Sequence, residues 1–140
     1  MTTTLAGPST TSLGPEADIA VVHGRRVPTG LFIGGEWRTA ETTFAVLDPA
    51  TGDEIAQMSD GGPADAIAAL DAAADAQSRW RHVAPRDRAD LFTRAHGLLL
   101  SRAAEFADVM TAESGKPLTE SRAEFALSAE FFLWYTEQIE

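Results

Sequence analysis

Residues 118–140 place the strongest constraint on how this chain can fold. Leu118, Arg122, Phe125, Ala129, Phe132 and Thr136 lie on one stripe of a helix. Yet Phe131, Phe132, Leu133, Trp134 and Tyr135 are consecutive apolar or aromatic residues, so the helix is greasy nearly all round. Such a helix is normally buried on several sides, and the rest of the chain is expected not to cover it fully. It also has no visible stop. Glu137, Gln138, Ile139 and Glu140 include no Gly, Asn or Pro, and Glu140 puts a negative charge at the negative pole of the helix. The expectation is a chain cut inside a helix.

Composition excludes several classes of function. The 140 residues carry 11 Lys and Arg against 21 Asp and Glu, a net charge of −10. That balance argues against binding a phosphate backbone, which needs clustered cations. There is no cysteine, and so no disulfide, no Cys-based zinc site and no thiol nucleophile within these residues. No apolar run approaches the ~20 residues of a spanning helix. The Met1-Thr2-Thr3-Thr4 start lacks the basic and apolar regions of a secretory signal. These features predict a cytoplasmic protein that engages neither nucleic acid nor membrane.

Before the helices the chain changes character twice. Residues 1–30 read as a flexible tail, since Thr, Ser, Gly and Pro dominate Thr2 to Pro15 and offer little to bury. Within it, His23-Gly24-Arg25-Arg26 reads as a solvated linker in preference to an anion contact. Residues 31–62 read as a small antiparallel meander. Leu31-Phe32-Ile33 and Glu36-Trp37-Arg38 flank Gly34-Gly35, a primed two-residue turn. Phe44-Ala45-Val46-Leu47 and Glu54-Ile55-Ala56-Gln57-Met58 flank an Asp48-Pro49-Ala50-Thr51-Gly52 turn.

From about Gly61 the period becomes helical. Helix one carries Pro63 in its first turn, Ile67, Leu70, Ala74 and Gln77 on one face, and Trp80 at its end. Helix two follows Pro85, with Arg88, Leu91, Ala95 and Leu98 as its stripe and Phe92 and Leu99 beside it. Helix three runs from Ser101, a candidate N-cap, to about Ser114, with Gly115 as the stop. Helix four follows Lys116-Pro117, with Pro117 placed in its first turn.

Few residues here carry chemistry. His82 and His96 lie far apart without carboxylates at ligand spacing. Glu105, Glu113, Glu120, Glu124 and Glu130 read as solvated helix faces rather than an acid/base pair. Gly34-Gly35 and Gly61-Gly62 are turn signals, and no phosphate-binding glycine loop exists. Lys116, the only lysine, reads as part of an interhelical turn in preference to an anion contact at a helix N-terminus. The aromatic set at 131–135 reads as a buried interface in preference to a ligand box.

The order of the segments says more than any one of them. Leu31-Phe32-Ile33-Gly34-Gly35-Glu36-Trp37, then Leu47-Asp48-Pro49-Ala50-Thr51-Gly52-Asp53-Glu54-Ile55-Ala56, then Trp80 with Pro85, Arg88 and Leu91, then Glu113-Ser114-Gly115-Lys116-Pro117-Leu118 follow one another. In that order and spacing they resemble the N-terminal motifs of the NAD(P)-dependent aldehyde dehydrogenase superfamily, with Asp48 in place of the usual Asn. The resemblance covers about residues 31–140. Glu113 to Leu118 and the Phe131–Tyr135 tail look most like succinate-semialdehyde dehydrogenases and near relatives.

That resemblance implies an α/β, aldehyde-dehydrogenase-like fold. This chain would supply a small β-meander (31–62) and about four helices (63–140) of a discontinuous coenzyme-binding domain, truncated at its C-terminus. It implies oxidation of an aldehyde, with succinate semialdehyde as a candidate, to a carboxylic acid. NAD or NADP accepts the hydride, a cysteine forms a thiohemiacetal, and the complete enzyme is a homo-oligomer. With neither Cys nor Asn present, the nucleophile and the oxyanion amide are not among these residues. The resemblance also implies that nearly all coenzyme contacts lie beyond these residues, so no catalytic or coenzyme-binding residue is assigned, and the 140 residues alone are expected to be inactive and to bind no cofactor. One site carries over from the family pattern: the backbone carbonyls of Leu47 and Glu113 are candidate monovalent-cation ligands, set against a reading in which no ion binds. The alternative to a dehydrogenase portion is a stand-alone α+β interaction module that uses the aromatic face of residues 131–135.

Overall fold

The computed structural model describes residues 18–139. Six short strands come first, then four helices. The strands are β1 (Ile19–Val22), β2 (Arg25–Pro28), β3 (Leu31–Ile33), β4 (Glu36–Arg38), β5 (Thr42–Leu47) and β6 (Glu54–Asp60). The helices are α1 (Pro63–Trp80), α2 (Pro85–Ser101), α3 (Ala103–Ser114) and α4 (Leu118–Glu137).

The strands form three separate antiparallel pairs, β1–β2, β3–β4 and β5–β6, rather than the single meander expected. Each pair turns where glycine permits positive φ. Gly34 and Gly35 sit at φ 64° and 90°, as the Gly-Gly signal predicted. Gly52 sits at φ 79°, in a turn where Asp48 Oδ1 accepts the Ala50 N–H at 2.7 Å. Across β3–β4, Phe32 and Trp37 lie opposite each other with ring centroids 5.0 Å apart. The Thr29 N–H donates to the Asp18 carbonyl at the open end of the β1–β2 hairpin, the Thr29 carbonyl accepts from the Ser59 N–H of β6, and the Ala40 N–H after β4 donates to the Ser59 hydroxyl.

The expected tail over residues 1–30 does not hold for its described part. Ile19–Val22 and Arg25–Pro28 pair through a His23-Gly24 turn with φ 47° and 78°. What orders this hairpin lies far along the chain. Val22 is buried against Ala56 and Ala112, with Ala20, Val27, Val46, Ile55 and Met58 around them. Arg25 Nε and Nη2 donate to Asp108 Oδ2 on α3 at 2.9 and 2.7 Å. The His23-to-Arg26 stretch is thus a turn and an anchor, not a solvated linker. Residues 1–17, the remainder of that expected tail, lie outside the described residues.

The helices start and stop for local reasons. α1 begins at Pro63, and the Asp65 carboxylate accepts the Gly62 N–H at 2.9 Å. α3 ends at Gly115, left-handed at φ 71°, as its stop signal predicted. Ser101 does not cap α3. It is the last residue of α2 and its hydroxyl donates to the Leu98 carbonyl at 2.8 Å, while Arg102 occupies the N-cap. Arg102 instead pairs with Glu105 one turn into α3, at 2.9 Å. Pro117 lies just before α4 rather than within its first turn. α4 reaches Glu137, followed by Gln138 in αR conformation.

Two expected helix faces are corrected. α1 buries no residue, and its Ile67 and Leu70 are 60% and 69% exposed; the side nearest the strands is the one bearing Ala68 and Ala72, which rests on Gly34 of the β3–β4 turn. Small alanines allow that close approach, whereas the larger residues point away. In α2, Leu91 and Leu98 are exposed, and Arg88, Ala89, Phe92, His96 and Leu99 form the inner side.

The α4 stripe is close to expectation. Phe125, Ala129 and Thr136 are buried and Phe132 is half-buried, but Ser121 takes the inner place expected for Arg122. Aromatic contacts bind the helices: Trp80 to Phe92 at 6.3 Å, Phe92 to Phe132 at 5.6 Å, and Phe106 stacked on Phe125 at 4.9 Å. Phe131, Trp134 and Tyr135 remain more than half exposed, as the all-round greasy character of this helix led one to expect.

Candidate functional site

The two candidate cation ligands come from segments distant in sequence. Leu47 is the last residue of β5, at a register irregularity between Val46 and Leu47, and it leads into the Asp48-Pro49 turn. Glu113 lies in the last turn of α3, directly before Ser114-Gly115. The structure brings these segments together: a Cβ placed on Gly115 would fall 2.8 Å from Pro49 Cγ. Only glycine admits that approach, and its φ of 71° also suits glycine.

The carbonyls at this junction have an electronic consequence. The last carbonyls of a helix lack intrahelical donors. The Met110 carbonyl accepts the Ser114 hydroxyl at 2.6 Å and the Thr111 carbonyl accepts the Gly115 N–H at 2.9 Å. The residue four beyond Glu113 is Pro117, which has no N–H to give. The Glu113 carbonyl is thus left at the negative end of the α3 dipole without its helical donor. The Glu113 side chain itself is exposed. Among the described residues no group of three His, Asp or Glu side chains is placed to hold a metal ion, so backbone oxygens are what the junction offers.

Lys116 takes the structural place. Its ammonium pairs with Glu124, eight residues on, across the α3–α4 turn. The same turn is fixed from within by a hydrogen bond of 2.8 Å between the Thr111 and Ser121 hydroxyls. His82 is exposed, whereas His96 stacks on Phe132 with ring centroids 6.4 Å apart. His96 Nε2 and Arg88 Nε are buried without hydrogen-bond partners, both on the inner side of α2. Sequence reasoning did not find these two atoms, nor the Arg25–Asp108 pair, because each depends on which helix face turns inward.

Shallow cavities lie among the described residues. One of about 300 Å³ lies between β1 and the β5–β6 pair, with Asp18, Thr29, Thr43, Gln57 and Ser59 among its walls. Another, about 470 Å³, lies against Trp80 and Val83. Neither wall places a nucleophile beside a base in the manner a hydrolytic or acyl-transfer site needs. No described helix is long and apolar enough to cross a membrane.

Comparison with known proteins gives this scaffold its context. The aldehyde dehydrogenase family profile matches residues 37–140. Human mitochondrial succinate-semialdehyde dehydrogenase is 40% identical over 110 residues, covering 79% of this chain and 21% of that protein. The crystal structure of succinate-semialdehyde dehydrogenase from Burkholderia pseudomallei superposes with a TM-score of 0.73 at 37% identity, over 76% of this chain and 22% of the other. An E. coli NADP dependent enzyme superposes with a TM-score of 0.76 at 32% identity, over 78% and 23%. The chain spans about a fifth of the length of these relatives. The strand pairs and four helices match the corresponding part of the aldehyde dehydrogenase fold.

Proposed function

The chain belongs to the aldehyde dehydrogenase family, and on that premise we propose that it is the scaffold portion of an enzyme that oxidises an aldehyde to a carboxylic acid with NAD or NADP. Residues 31–140 act as the N-terminal part of a discontinuous coenzyme-binding domain, with strand pairs over 31–62 and helices over 63–140. The observation that carries this reading is the 40% identity to a succinate-semialdehyde dehydrogenase across 110 residues. Succinate semialdehyde is the favoured substrate, since the human and Burkholderia relatives are both named for it. The E. coli neighbour is named as NADP dependent, in keeping with a nicotinamide coenzyme.

When bound, the coenzyme supplies the hydride acceptor; no residue of this chain is assigned to hold it. The cysteine thiohemiacetal route needs a thiol and an oxyanion donor set. With neither Cys nor Asn among the 140 residues, their contribution is positional, and alone they turn over no aldehyde. The complete enzyme is read as a cytoplasmic homo-oligomer.

Within the same reading the carbonyls of Leu47 and Glu113 hold a monovalent cation. Support comes from the closeness of Gly115 to Pro49 and from Pro117, which offers Glu113 no N–H. Carbonyl oxygen suits a hard cation. The chain should then melt at a higher temperature in sodium or potassium chloride than in choline chloride of equal ionic strength. Equal midpoints in all three salts would remove the site.

One observation favours a second reading. Phe131, Trp134 and Tyr135 are 58%, 53% and 64% exposed, which also fits a stand-alone module that binds a partner through this face. Light scattering separates the two: a monodisperse, well-folded oligomer supports the module, whereas exposed apolar surface that binds dye and aggregates supports the scaffold.

The scaffold reading is tested by exchange. Residues 31–140 replace the matching part of the Burkholderia succinate-semialdehyde dehydrogenase, and NAD(P)H formation from succinate semialdehyde is followed. An active chimera is expected. A chimera that folds and assembles like its parent yet shows no turnover would overturn the proposal.

A further inference from the structure

β5 leaves one long edge open. It pairs with β6 alone, and among the described residues no other strand lies against it. Its six residues, Thr42-Thr43-Phe44-Ala45-Val46-Leu47, include no charge, no proline and no glycine. Natural proteins usually protect such an edge with lysine, proline or a covering element. Here it lies bare: Phe44 and Leu47 are 50% and 51% exposed. A two-stranded ladder is marginal by itself, so a third strand would gain backbone hydrogen bonds and cover Phe44.

The ends of β5 decide what can add there. Glu41 precedes the strand and Asp48 follows it, so the uncharged segment is bracketed by carboxylates. Full-register antiparallel pairing with a second copy would set Phe44 against Ala45 and Glu41 against Asp48 at both ends. Like charges placed directly opposite are destabilising, and two chains of net charge −10 already repel. A parallel arrangement would set Glu41 beside Glu41. The edge is therefore disfavoured for self-pairing and complementary to a strand with cationic ends.

We propose that the β5 edge is a strand-addition site for a partner polypeptide segment with an uncharged, β-branched or aromatic centre and Lys or Arg at both ends. In such binding the backbone supplies affinity and alternate side chains supply selectivity. Phe44 and Val46 pair with Met58 and Ala56, and Val46 and Met58 pack on the Val22–Ala56–Ala112 cluster. The incoming residues beside Phe44 and Val46 are apolar. Those beside Thr43 and Ala45, whose cross-strand partners are Ser59 and Gln57, are polar.

The test uses the whole chain and two capped peptides, Lys-Thr-Val-Thr-Val-Thr-Thr-Lys, which in antiparallel pairing sets its ends opposite Asp48 and Glu41 and its valines beside Val46 and Phe44, and its twin with Glu at both ends. Amide hydrogen exchange is read at residues 42–47. The basic peptide is expected to slow exchange there and the acidic twin is not. Glu41→Lys, at an exposed position, is expected to weaken the basic peptide about three- to fivefold, the range of one surface ion pair, and less at high salt. Three results would each overturn the proposal: no protection by the basic peptide, equal protection by both peptides, or protection that grows with protein concentration alone. The last would mean that a second copy fills the edge.

Discussion

Gly115, at the end of α3, and Pro49, in the turn after β5, approach so closely that a Cβ on Gly115 would meet Pro49 Cγ at 2.8 Å. This contact joins the strand half of the chain to its helical half, and it brings the segments bearing Leu47 and Glu113 together.

Gly115→Ala should therefore be strongly destabilising. The left-handed φ of 71° costs an L-residue about 1 kcal/mol, and displacement of the Pro49 ring adds to that. A loss of about 2–3 kcal/mol is expected from urea unfolding. A change below about 0.5 kcal/mol would mean that the two turns are not packed as described.

Gly97→Ala is the opposite case. Gly97 sits inside α2 with nothing within 4 Å of an added Cβ. Alanine should raise stability by about 0.5–1 kcal/mol through helix propensity alone. A lower thermal midpoint for this variant would contradict the α2 assignment.

Arg25 and Asp108 hold the first hairpin to α3 with two short contacts to one carboxylate oxygen. Both side chains are partly exposed, so a double-mutant cycle with Arg25→Ala and Asp108→Ala should give a coupling of about 0.5–1 kcal/mol that shrinks with salt. Zero coupling at low salt would show that the hairpin is held by its apolar cluster and the Thr29–Ser59 bond without help from this pair.

Ser121 is fully buried and shares a 2.8 Å hydrogen bond with Thr111. Ser121→Ala should cost about 1–2 kcal/mol, because the Thr111 hydroxyl loses its partner. Adding Thr111→Val should recover part of that loss, since both polar groups are then gone. Losses that simply add would argue that the two hydroxyls do not interact.

Local signals were legible in the sequence wherever one residue decided the geometry. Gly34-Gly35 turned the chain, Pro63 opened α1 and Gly115 closed α3. The apolar all-round character of α4 correctly pointed to a face this chain leaves bare, at Phe131, Trp134 and Tyr135. Elsewhere distant partners decide the structure. Ile19–Pro28 looked like tail because its anchors, Asp108 and Ala112, lie over 80 residues away. Ile67 and Leu70 form the more hydrophobic stripe of α1, but Ala68 and Ala72 are small enough to sit closer to the strands. Ser101 looked like a cap, yet its hydroxyl turns back to Leu98 within its own helix. Of the candidate site, the residues were legible only through the family pattern; their meeting at Pro49 and Gly115 needed the fold.

These 140 residues are proposed to provide scaffold and not the reaction centre. The most direct measurement is coenzyme reduction at 340 nm by the pure, folded chain, with succinate semialdehyde and a panel of other aldehydes, using NAD and NADP in turn. No NAD(P)H formation above the protein-free background is predicted. Turnover that copurifies with the chain would contradict the account, since it would require a nucleophile other than a thiol among residues that contain no cysteine.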